Sequence, residues 1–330
     1  MNMSSDLRTI SKKFEASNNV YSFYELAVTI IGYAFFVYVV YLSFVGHFWP
    51  AYVVFSLISS LFMVKLFTLL HDCAHESMFS SAFLNVWVGR FISIFMTMPF
   101  TSWKEEHNDH HSHVVDIEKM YHGDVPLLTV EQFNSKSKMK KKLYSVYRHP
   151  VVFLLVSPFY LFFLKSRYPA MYTRKVILSV LITNMFVAAI YIPLLIYFGF
   201  WVMVFVFAAP AYIGGMIGVG LFYLQHNYPD ATWFTTEAWE HENASLEGSS
   251  LIVLPQPLEW FSNAIGYHHI HHLNSSVPGY RLRECYDAVE EFRTIQPLTW
   301  RGTIEAFRLK FWSYELNKMV TMKESAGLKS

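Results

Sequence analysis

The segment from His268 to His272 holds four histidines in five positions. If it is helical, His268, His271 and His272 stand at i, i+3 and i+4, which puts their imidazole rings on one face about 6 Å apart. Neutral imidazole is the commonest metal ligand in proteins, and nitrogen donors suit iron, zinc or copper better than calcium or magnesium. The segment therefore predicts a metal site on one face of a helix.

Two further segments repeat this spacing, and they hold five histidines that fit it: His71, His75, His107, His110 and His111. Ten of the fifteen histidines fall within the seventeen positions 71–75, 107–113 and 268–272, where an even scatter would place fewer than one. A lone histidine is more often a core or capping residue than a ligand. Three clusters at helical spacing instead favour metal binding.

A ninth histidine, His226, follows a long apolar stretch that should end on the same side as the clusters. One tetrahedral zinc ion needs at most four ligands. Nine imidazoles therefore predict two metal ions with four or five ligands each, which indicates a dinuclear iron centre. The predicted ligands are His71, His75, His107, His110, His111, His226, His268, His271 and His272. Four other histidines are interpreted as structural. His47 should lie at the opposite membrane face, and His122, His149 and His241 have no helical partner.

Nine neutral ligands would leave about four positive charges uncompensated on two ferrous ions, so carboxylates should orient the rings from behind. The first candidates are Asp72, Asp109 and Asp230, together with His113 and His269, which point to other faces of their helices. More distant candidates are Glu76, Glu105, Glu106, Asp116, Glu237 and Glu240. For each of these side chains, simple solvation at the surface is the alternative interpretation.

The composition is that of a membrane protein. Of the 330 residues, 53% are hydrophobic, 18% are aromatic and 15% are charged, which is too apolar for an ordinary soluble domain of this length. The net charge of +1 gives no reason to expect nucleic acid as a partner. Cys73 and Cys285 offer no disulfide framework, which favours a reducing cytosolic setting. The first twenty residues contain no cleavable signal-peptide pattern.

Four apolar stretches are long enough to cross a bilayer as helices, at 1.5 Å per residue against a hydrocarbon core of about 30 Å. They cover residues 23–45, 51–70, 176–198 and 201–224, and short turns join them into two hairpins. The run 82–100 is interpreted as interfacial or re-entrant, with Arg90 snorkelling or paired, because a single crossing there would separate the first two histidine clusters. The fourteen-residue run 151–164 also favours an interfacial helix.

Basic residues orient the chain. Six of them lie within residues 136–148, most simply as a solvated face: Lys136, Lys138, Lys140, Lys141, Lys142 and Arg148. The turns at 46–50 and 199–200 contain no lysine or arginine. By the positive-inside rule, the histidine side should face the cytoplasm.

The predicted architecture is therefore an all-α integral membrane protein. It has four transmembrane helices in two hairpins, interfacial helices, and a cytosolic helical cap that carries the histidine-rich dimetal site. We divide the chain into a cytosolic N-terminus at 1–22, a membrane domain with its cap at 23–290, and a C-terminal cytosolic segment at 291–330.

The location of the site limits its chemistry. A metal pair at the cytoplasmic ends of apolar helices would meet a lipid-like acyl chain, which offers unactivated C–H bonds or a head-group ester. Breaking a methylene C–H bond needs an oxidant made from dioxygen, which iron can provide and redox-inert zinc cannot.

Two other classes of protein fit the sequence less well. An intramembrane zinc hydrolase needs a general base beside paired ligands, as in His-Glu-x-x-His, whereas the segment from His71 to His75 has one residue too many between its histidines. A haem electron carrier would have its histidines inside the apolar spans, yet the clusters lie beyond them.

These residues resemble the membrane fatty acid desaturase family. Its three histidine boxes, His-x3-His, His-x2-His-His and His-x2-His-His, are matched by 71–75, 107–111 and 268–272. Residues 222–226 and 263–273 are similar to bacterial acyl-lipid desaturases of the Δ12/Δ5 type, and the resemblance covers about residues 51–290. It implies a diiron enzyme that uses dioxygen and two electrons to insert a cis double bond into a fatty acyl chain. A hydroxylase, an acetylenase or a carotenoid-modifying oxygenase would use the same site.

The chain departs from that family at Ala74 and Glu76, where glycine is usual, and at Lys104, where arginine is common. These differences leave open the double-bond position and the acyl carrier. The chain contains no His-Pro-Gly-Gly stretch of a fused cytochrome b5. The resemblance therefore implies a separate electron donor, such as a ferredoxin or cytochrome b5, besides a fatty acyl lipid substrate and the surrounding membrane lipids.

Overall fold

Long apolar helices dominate the fold, which we describe from a computed structural model for residues 3–120 and 124–328; His122 lies outside the described residues. Helix α1 (Met3–Ser11) and a 3-10 turn (Lys12–Phe14) precede α2 (Asn19–Val45) and α3 (Trp49–Ala74). These two long helices pack against each other and form the first predicted hairpin. Helix α3 extends past its apolar run and so includes His71.

The next pair of helices turns back on itself. Helix α4 (Ala82–Phe95) and α5 (Phe100–Ser112) meet at an angle of 107°. Arg90 is exposed and lies 5.0 Å from the ring centroid of Trp87. The bend returns α5 to the end of α3, so this pair does not separate the first two histidine clusters.

A short strand, β1 (Leu128–Thr129), leads into α6 (Val130–Ser135) and α7 (Lys138–Tyr147). Helix α8 (Pro150–Phe159) then continues through a π-helical turn (Tyr160–Leu164) and a 3-10 turn (Lys165–Arg167). The continuous helical segment is 18 residues long, four more than the apolar run predicted as interfacial. By length and composition it is a further candidate membrane span.

The second predicted hairpin consists of α9 (Arg174–Phe198), α10 (Phe200–Val202), a π-helical segment (Met203–Ala208) and α11 (Ala209–His226). Gly214 lets α11 approach a neighbouring helix closely. A Cβ atom there would lie 2.9 Å from the carbonyl oxygen of Ser60 on α3. Only glycine allows the two backbones to pack at this distance.

Five helices in the described part of the chain are long and apolar enough to cross a membrane, or six if the bent pair α4 and α5 counts as one span. The sequence predicted four. The number of crossings is therefore not confirmed, and the division of the chain into three parts also stays a prediction.

The remaining helices form a cap over the histidine-bearing ends of the long helices. They are α12 (His241–Glu247), α13 (Gln256–Phe261), α14 (His268–Leu273), α15 (Gly279–Ala288), a 3-10 turn (Glu291–Thr294), α16 (Trp300–Ala306) and α17 (Met322–Ser325). One apolar core of the cap includes Ile270, Leu282 and Phe292, all buried. This core fixes α14 against its neighbours and so fixes the orientation of its histidines.

The all-α prediction is wrong in one detail, because the cap contains a small sheet. Strand β2 (Leu309–Ser313) pairs in parallel with β1 and antiparallel with β3 (Lys318–Thr321), in the order β1-β2-β3. Phe311 and Trp312 are both buried although they are adjacent. Burial on both faces removes the alternating pattern by which a short strand is recognised.

The interpretation of Arg148 as part of a solvated basic face is also wrong. Its side chain is buried, donates hydrogen bonds to Asn227 and to the carbonyl of Leu309, and lies over the ring of Tyr223. Two distant segments of the chain supply these acceptors, so charge clustering in sequence could not separate Arg148 from its neighbours. The lysines Lys136, Lys138, Lys140 and Lys142 are exposed, as predicted.

Candidate metal centre

Four helix ends position the nine predicted ligands. Helix α3 carries His71 and is capped by His75, while His226 is the last residue of α11. Helix α5 presents His107, His110 and His111, and α14 presents His268, His271 and His272. Two of these helices, α3 and α11, are long and apolar, α5 follows the bend after α4, and α14 belongs to the cap. The site therefore forms where the long helices meet the cap.

The first group of imidazoles contains five histidines whose ligand atoms all lie within 4.8 Å of one another: His71, His75, His107, His111 and His271. The Nε2 atom of His111 lies 3.2 Å from that of His107 and 3.1 Å from that of His271. Three separate helices therefore direct ring nitrogens at one small volume.

The second group contains the other four: His110, His226, His268 and His272. The Nε2 atom of His268 lies 3.0 Å from that of His226 and 3.0 Å from that of His272. The rings of His111 and His272 stack at a centroid distance of 4.1 Å, which joins the two groups. The structure thus gathers all nine residues into adjacent groups of five and four.

The spacing of the nitrogens fits shared metal ions. Two nitrogens that bind one ion at about 2.1 Å and at right angles lie about 3.0 Å apart. Two neutral imidazoles without an ion can share only one proton across such a contact. Nine rings packed in this way, seven of them buried, would leave lone pairs opposed, whereas a cation in each group would satisfy them.

Burial keeps the imidazoles neutral. Removal from water lowers the pKa of His75, His268, His271 and His272 well below the usual value of 6.5, and neighbouring histidines lower it further. Neutral imidazole is the form that binds a metal. These rings can therefore act as ligands without first losing a proton at neutral pH.

Contacts at Nδ1 hold two of the imidazole rings in a defined tautomer. The carbonyl oxygen of Gly248 can only accept, so the Nδ1 atom of His226, 2.9 Å away, carries the proton and donates it. Its Nε2 lone pair then faces the four-histidine group. In the same way, Nδ1 of His110 lies 2.5 Å from a carboxylate oxygen of Asp124, and its buried Nε2 has no hydrogen-bond partner among the described residues.

Asp124 is a site residue that sequence reasoning missed. It lies in the segment between α5 and β1, with no helical spacing from His110. A carboxylate behind a ligating histidine orients the ring and raises its basicity. The only available signal was an acidic residue a short distance after the second histidine cluster, and helical periodicity gives such a residue no position.

Of the three aspartates predicted to orient the rings, only Asp72 lies beside a predicted ligand. The Oδ1 atom of Asp72 lies 3.5 Å from Nδ1 of His71. Asp109 lies 3.5 Å from Nδ1 of His113, and both are half-buried outside the two groups. Asp230 is exposed after α11.

His269 faces the cap interior instead of the two groups. Its ring contacts those of Tyr286 and Phe292, and burial lowers its pKa to about 3. The more distant candidates contribute elsewhere. Glu76 pairs with Lys104, Glu106 with Lys165, and Asp116 accepts hydrogen bonds from Thr236.

A buried polar chain connects the long helices to the site. Glu25 on α2 pairs with Lys65 on α3 at 2.8 Å, and Lys65 donates to Oδ1 of Asn263 at 2.9 Å. Asn263 donates in turn to Oδ2 of Asp72 at 2.8 Å. All four side chains are buried. The chain continues to His71, so an ion pair between two apolar helices supports the carboxylate behind a predicted ligand.

Gly279 completes this chain at the first turn of α15. Its backbone N–H donates to Oδ2 of Asp72 at 2.8 Å. A Cβ atom at this position would lie 2.0 Å from the side-chain nitrogen of Asn263. Glycine is therefore required for the backbone to approach both polar side chains.

A cavity of about 880 Å³ adjoins the histidines. It reaches His71, His107 and His268, and its walls are largely apolar. They include Met63, Phe67, Phe207, Gly214, Gly218 and Phe222. A cavity of this size falls within the range of ligand sites, and its lining suits a long hydrocarbon chain lying against the histidine groups.

The remaining histidines of the described part of the chain lie away from the groups. His47 is exposed in the turn between α2 and α3, at the opposite ends of the long helices, and His149 is exposed before α8. His241 packs at the first turn of α12 with its ring 6.2 Å from that of Trp239.

Comparisons with known proteins show which family this chain is similar to. The chain is 29% identical over 270 residues to the fatty acid desaturase of Bacillus subtilis (strain 168), covering 81% of this chain and 76% of that protein. It is 26% identical over 261 residues to the sn-1 oleoyl-lipid 12-desaturase of Anabaena variabilis, covering 77% and 71%. It is 24% identical over 285 residues to the sn-1 acyl-lipid omega-3 desaturase (ferredoxin) of Synechocystis sp., covering 80% and 75%.

The family model for fatty acid desaturases matches residues 47–303, well over half of the chain. This region contains all nine clustered histidines and the cavity walls named above. The chain is therefore an oxidoreductase that belongs to the fatty acid desaturase family.

Proposed function

We propose that this protein is a dioxygen-dependent fatty acyl desaturase that inserts a cis double bond into a lipid-linked acyl chain. The nine clustered histidines would hold two iron ions, five at one and four at the other. The observation that carries this proposal is the largely apolar cavity whose lining includes His71, His107 and His268. The relatives named as acyl-lipid desaturases support the same substrate class.

The donor set fits iron and disfavours a zinc hydrolase. A single zinc ion with at most four ligands could use only one of the two groups and would leave the other without a role. When bound, iron would supply the oxidant, made from dioxygen, that removes two hydrogens from adjacent methylene groups.

The protein's own residues provide position and exclusion of water. The cavity walls hold the acyl chain extended beside the histidines and keep solvent from the reacting carbons. The Gly248 carbonyl and Asp124 hold His226 and His110 in the tautomer whose Nε2 can bind. Per double bond, two electrons from a donor, two protons from solvent and two hydrogen atoms from the acyl chain reduce one dioxygen molecule to two water molecules.

We further propose that the histidine side faces the cytoplasm and that a separate donor, a ferredoxin or a cytochrome b5, docks there. The exposed lysines of α7 lie on the part of the chain that connects α5 to α8 and support this orientation. One relative carries ferredoxin in its name.

Expression of the full chain in a host that lacks polyunsaturated lipids, followed by fatty acid profiling, tests the activity. We expect new double bonds in membrane lipids and about two iron atoms per purified chain. Hydroxylated or acetylenic products would contradict the desaturase proposal in favour of another oxidation at the same site. One zinc and no iron would overturn the diiron assignment.

Replacing Asp124 by asparagine should weaken iron binding by about 10- to 100-fold, because the ring of His110 loses the carboxylate that orients it. Asparagine preserves the size of the side chain, so the fold should survive. The measurement is iron retained during titration with a chelator.

Asp109→Asn is the matched control, since Asp109 pairs with His113 outside the two groups. Equal iron retention in the two variants would show that Asp124 has no special role.

A further inference from the structure

Arg167 lines the cavity at the end of the α8 segment. Its Nη1 donates to Oδ1 of Asn184 at 2.6 Å, and the side-chain amide of Asn184 donates back to the carbonyl of Arg167 at 3.2 Å. The first bond holds the guanidinium against α9, and the second holds the Arg167 backbone at the same side chain. The remaining edge of the group is therefore presented in a defined direction.

That remaining edge is unsatisfied. The Nε and Nη2 atoms of Arg167 are buried and have no hydrogen-bond partner among the described residues. Nε–H and one N–H of Nη2 point the same way and form the fork that binds two oxygens of one anion. Buried donors are nearly always satisfied in proteins, so this fork calls for a ligand.

Within the described residues, no carboxylate forms an ion pair with Arg167. Lys165, two residues earlier, is neutralised by Glu106 on α5, whereas the partner of Arg167 is the neutral amide of Asn184. A cation in apolar surroundings is costly unless an anion pairs with it. An anionic group at this position would supply both the missing charge and the missing acceptors.

The position favours an anion that belongs to a membrane lipid. Phe163, Leu164 and Tyr168 beside Arg167 are 45%, 48% and 72% exposed, so Arg167 adjoins a surface suited to lipid. The same cavity runs on to His107 and His268. An anion bound at Arg167 could thus carry an acyl chain that lies along the cavity towards the histidines.

We propose that Arg167 binds the phosphate of the substrate phospholipid through its Nε and Nη2 edge. This inference rests on the proposed function, because it names the head group of the lipid whose acyl chain is desaturated. The phosphate of a soluble acyl thioester has the same chemistry, and the test must separate the two sources.

The test measures binding, which does not depend on turnover. Purified protein in detergent is titrated with a fluorescent phospholipid and with an uncharged galactolipid that has the same acyl chains. We expect the unmodified protein to prefer the phospholipid by about 10-fold, the scale of a charge-assisted hydrogen-bonded pair. Arg167→Gln should abolish that preference, and Lys175→Gln, which removes an exposed cation at the start of α9, should keep it.

Arg167→Lys guards against misfolding, since it retains the charge and loses the fork; we expect it to lose most of the preference. An unchanged preference in Arg167→Gln, or none in the unmodified protein, would overturn the proposal. Displacement of the phospholipid by acyl-CoA at lower concentration, in a manner that depends on Arg167, would also overturn it in favour of a soluble thioester. If the preference depends on Arg167 but no double bonds form, the site stands and the proposed function fails.

Discussion

A His226→Ala variant is expected to lose desaturation by about 100-fold or more and to retain only one of the two proposed iron ions. Loss of a group behind a ligand already lowers metal affinity or activity by about 10- to 100-fold, and removal of the ligand itself should exceed this. His226 belongs to the group of four, which would be left with three histidines. The group of five should keep its ion.

Iron per chain and double bonds per lipid are measured on the same preparation. His149→Ala serves as the control, because His149 is exposed and lies outside both groups. Full activity with unchanged iron in His226→Ala would exclude His226 as a ligand. Loss of both ions would contradict the assignment of the nine residues to two separate groups.

Lys65→Met is expected to destabilise the protein by about 3–5 kcal/mol. Removing one partner of a buried ion pair leaves the other charge uncompensated, and this is far more costly than removing both. In this protein the residual charge would be Glu25, which lies between two apolar helices. The loss should appear as a lower thermal unfolding temperature of the purified protein.

The double variant Glu25→Gln/Lys65→Met separates charge from packing. It should recover much of the stability that Lys65→Met loses, since no unpaired charge remains. Lys142→Met, at an exposed position of α7, should have little effect. If Lys65→Met unfolds at the same temperature as Lys142→Met, the pair contributes nothing measurable.

The same variants test the link from the ion pair to the metal centre. Lys65 supports Asn263, which donates to Asp72 beside His71. Lys65→Met should therefore also weaken iron binding, and the double variant should not restore it, because Asn263 still lacks its donor. Recovery of iron binding together with stability would show that the effect was only structural.

Sequence periodicity predicted the site correctly where its residues are neighbours on one helix. The three histidines of α14 lie on one face because of helical geometry, and their spacing can be read from the sequence alone. The apolar helices were predicted for a similar reason, since length and composition alone qualify a span. The family resemblance rests on these same local patterns.

Periodicity failed where a residue depends on a partner from another segment. Arg148 looked like its solvated lysine neighbours, but Asn227 and Leu309 bury it. Lys65 and Glu25 interrupt apolar runs in the sequence, and only the packing of α2 against α3 shows that they form an ion pair. Asp124 has no periodic relation to His110, although the two side chains meet.

The sequence by itself determined which residues could bind metal, that the chain would form long apolar helices, and to which family it belongs. Those properties are local, because they depend on spacing within a helix and on composition. The tertiary structure alone decided how nine histidines divide into five and four, which carboxylates lie behind them, and which edge of Arg167 is left open. Those properties depend on distances between segments far apart in the chain, and only packing sets such distances.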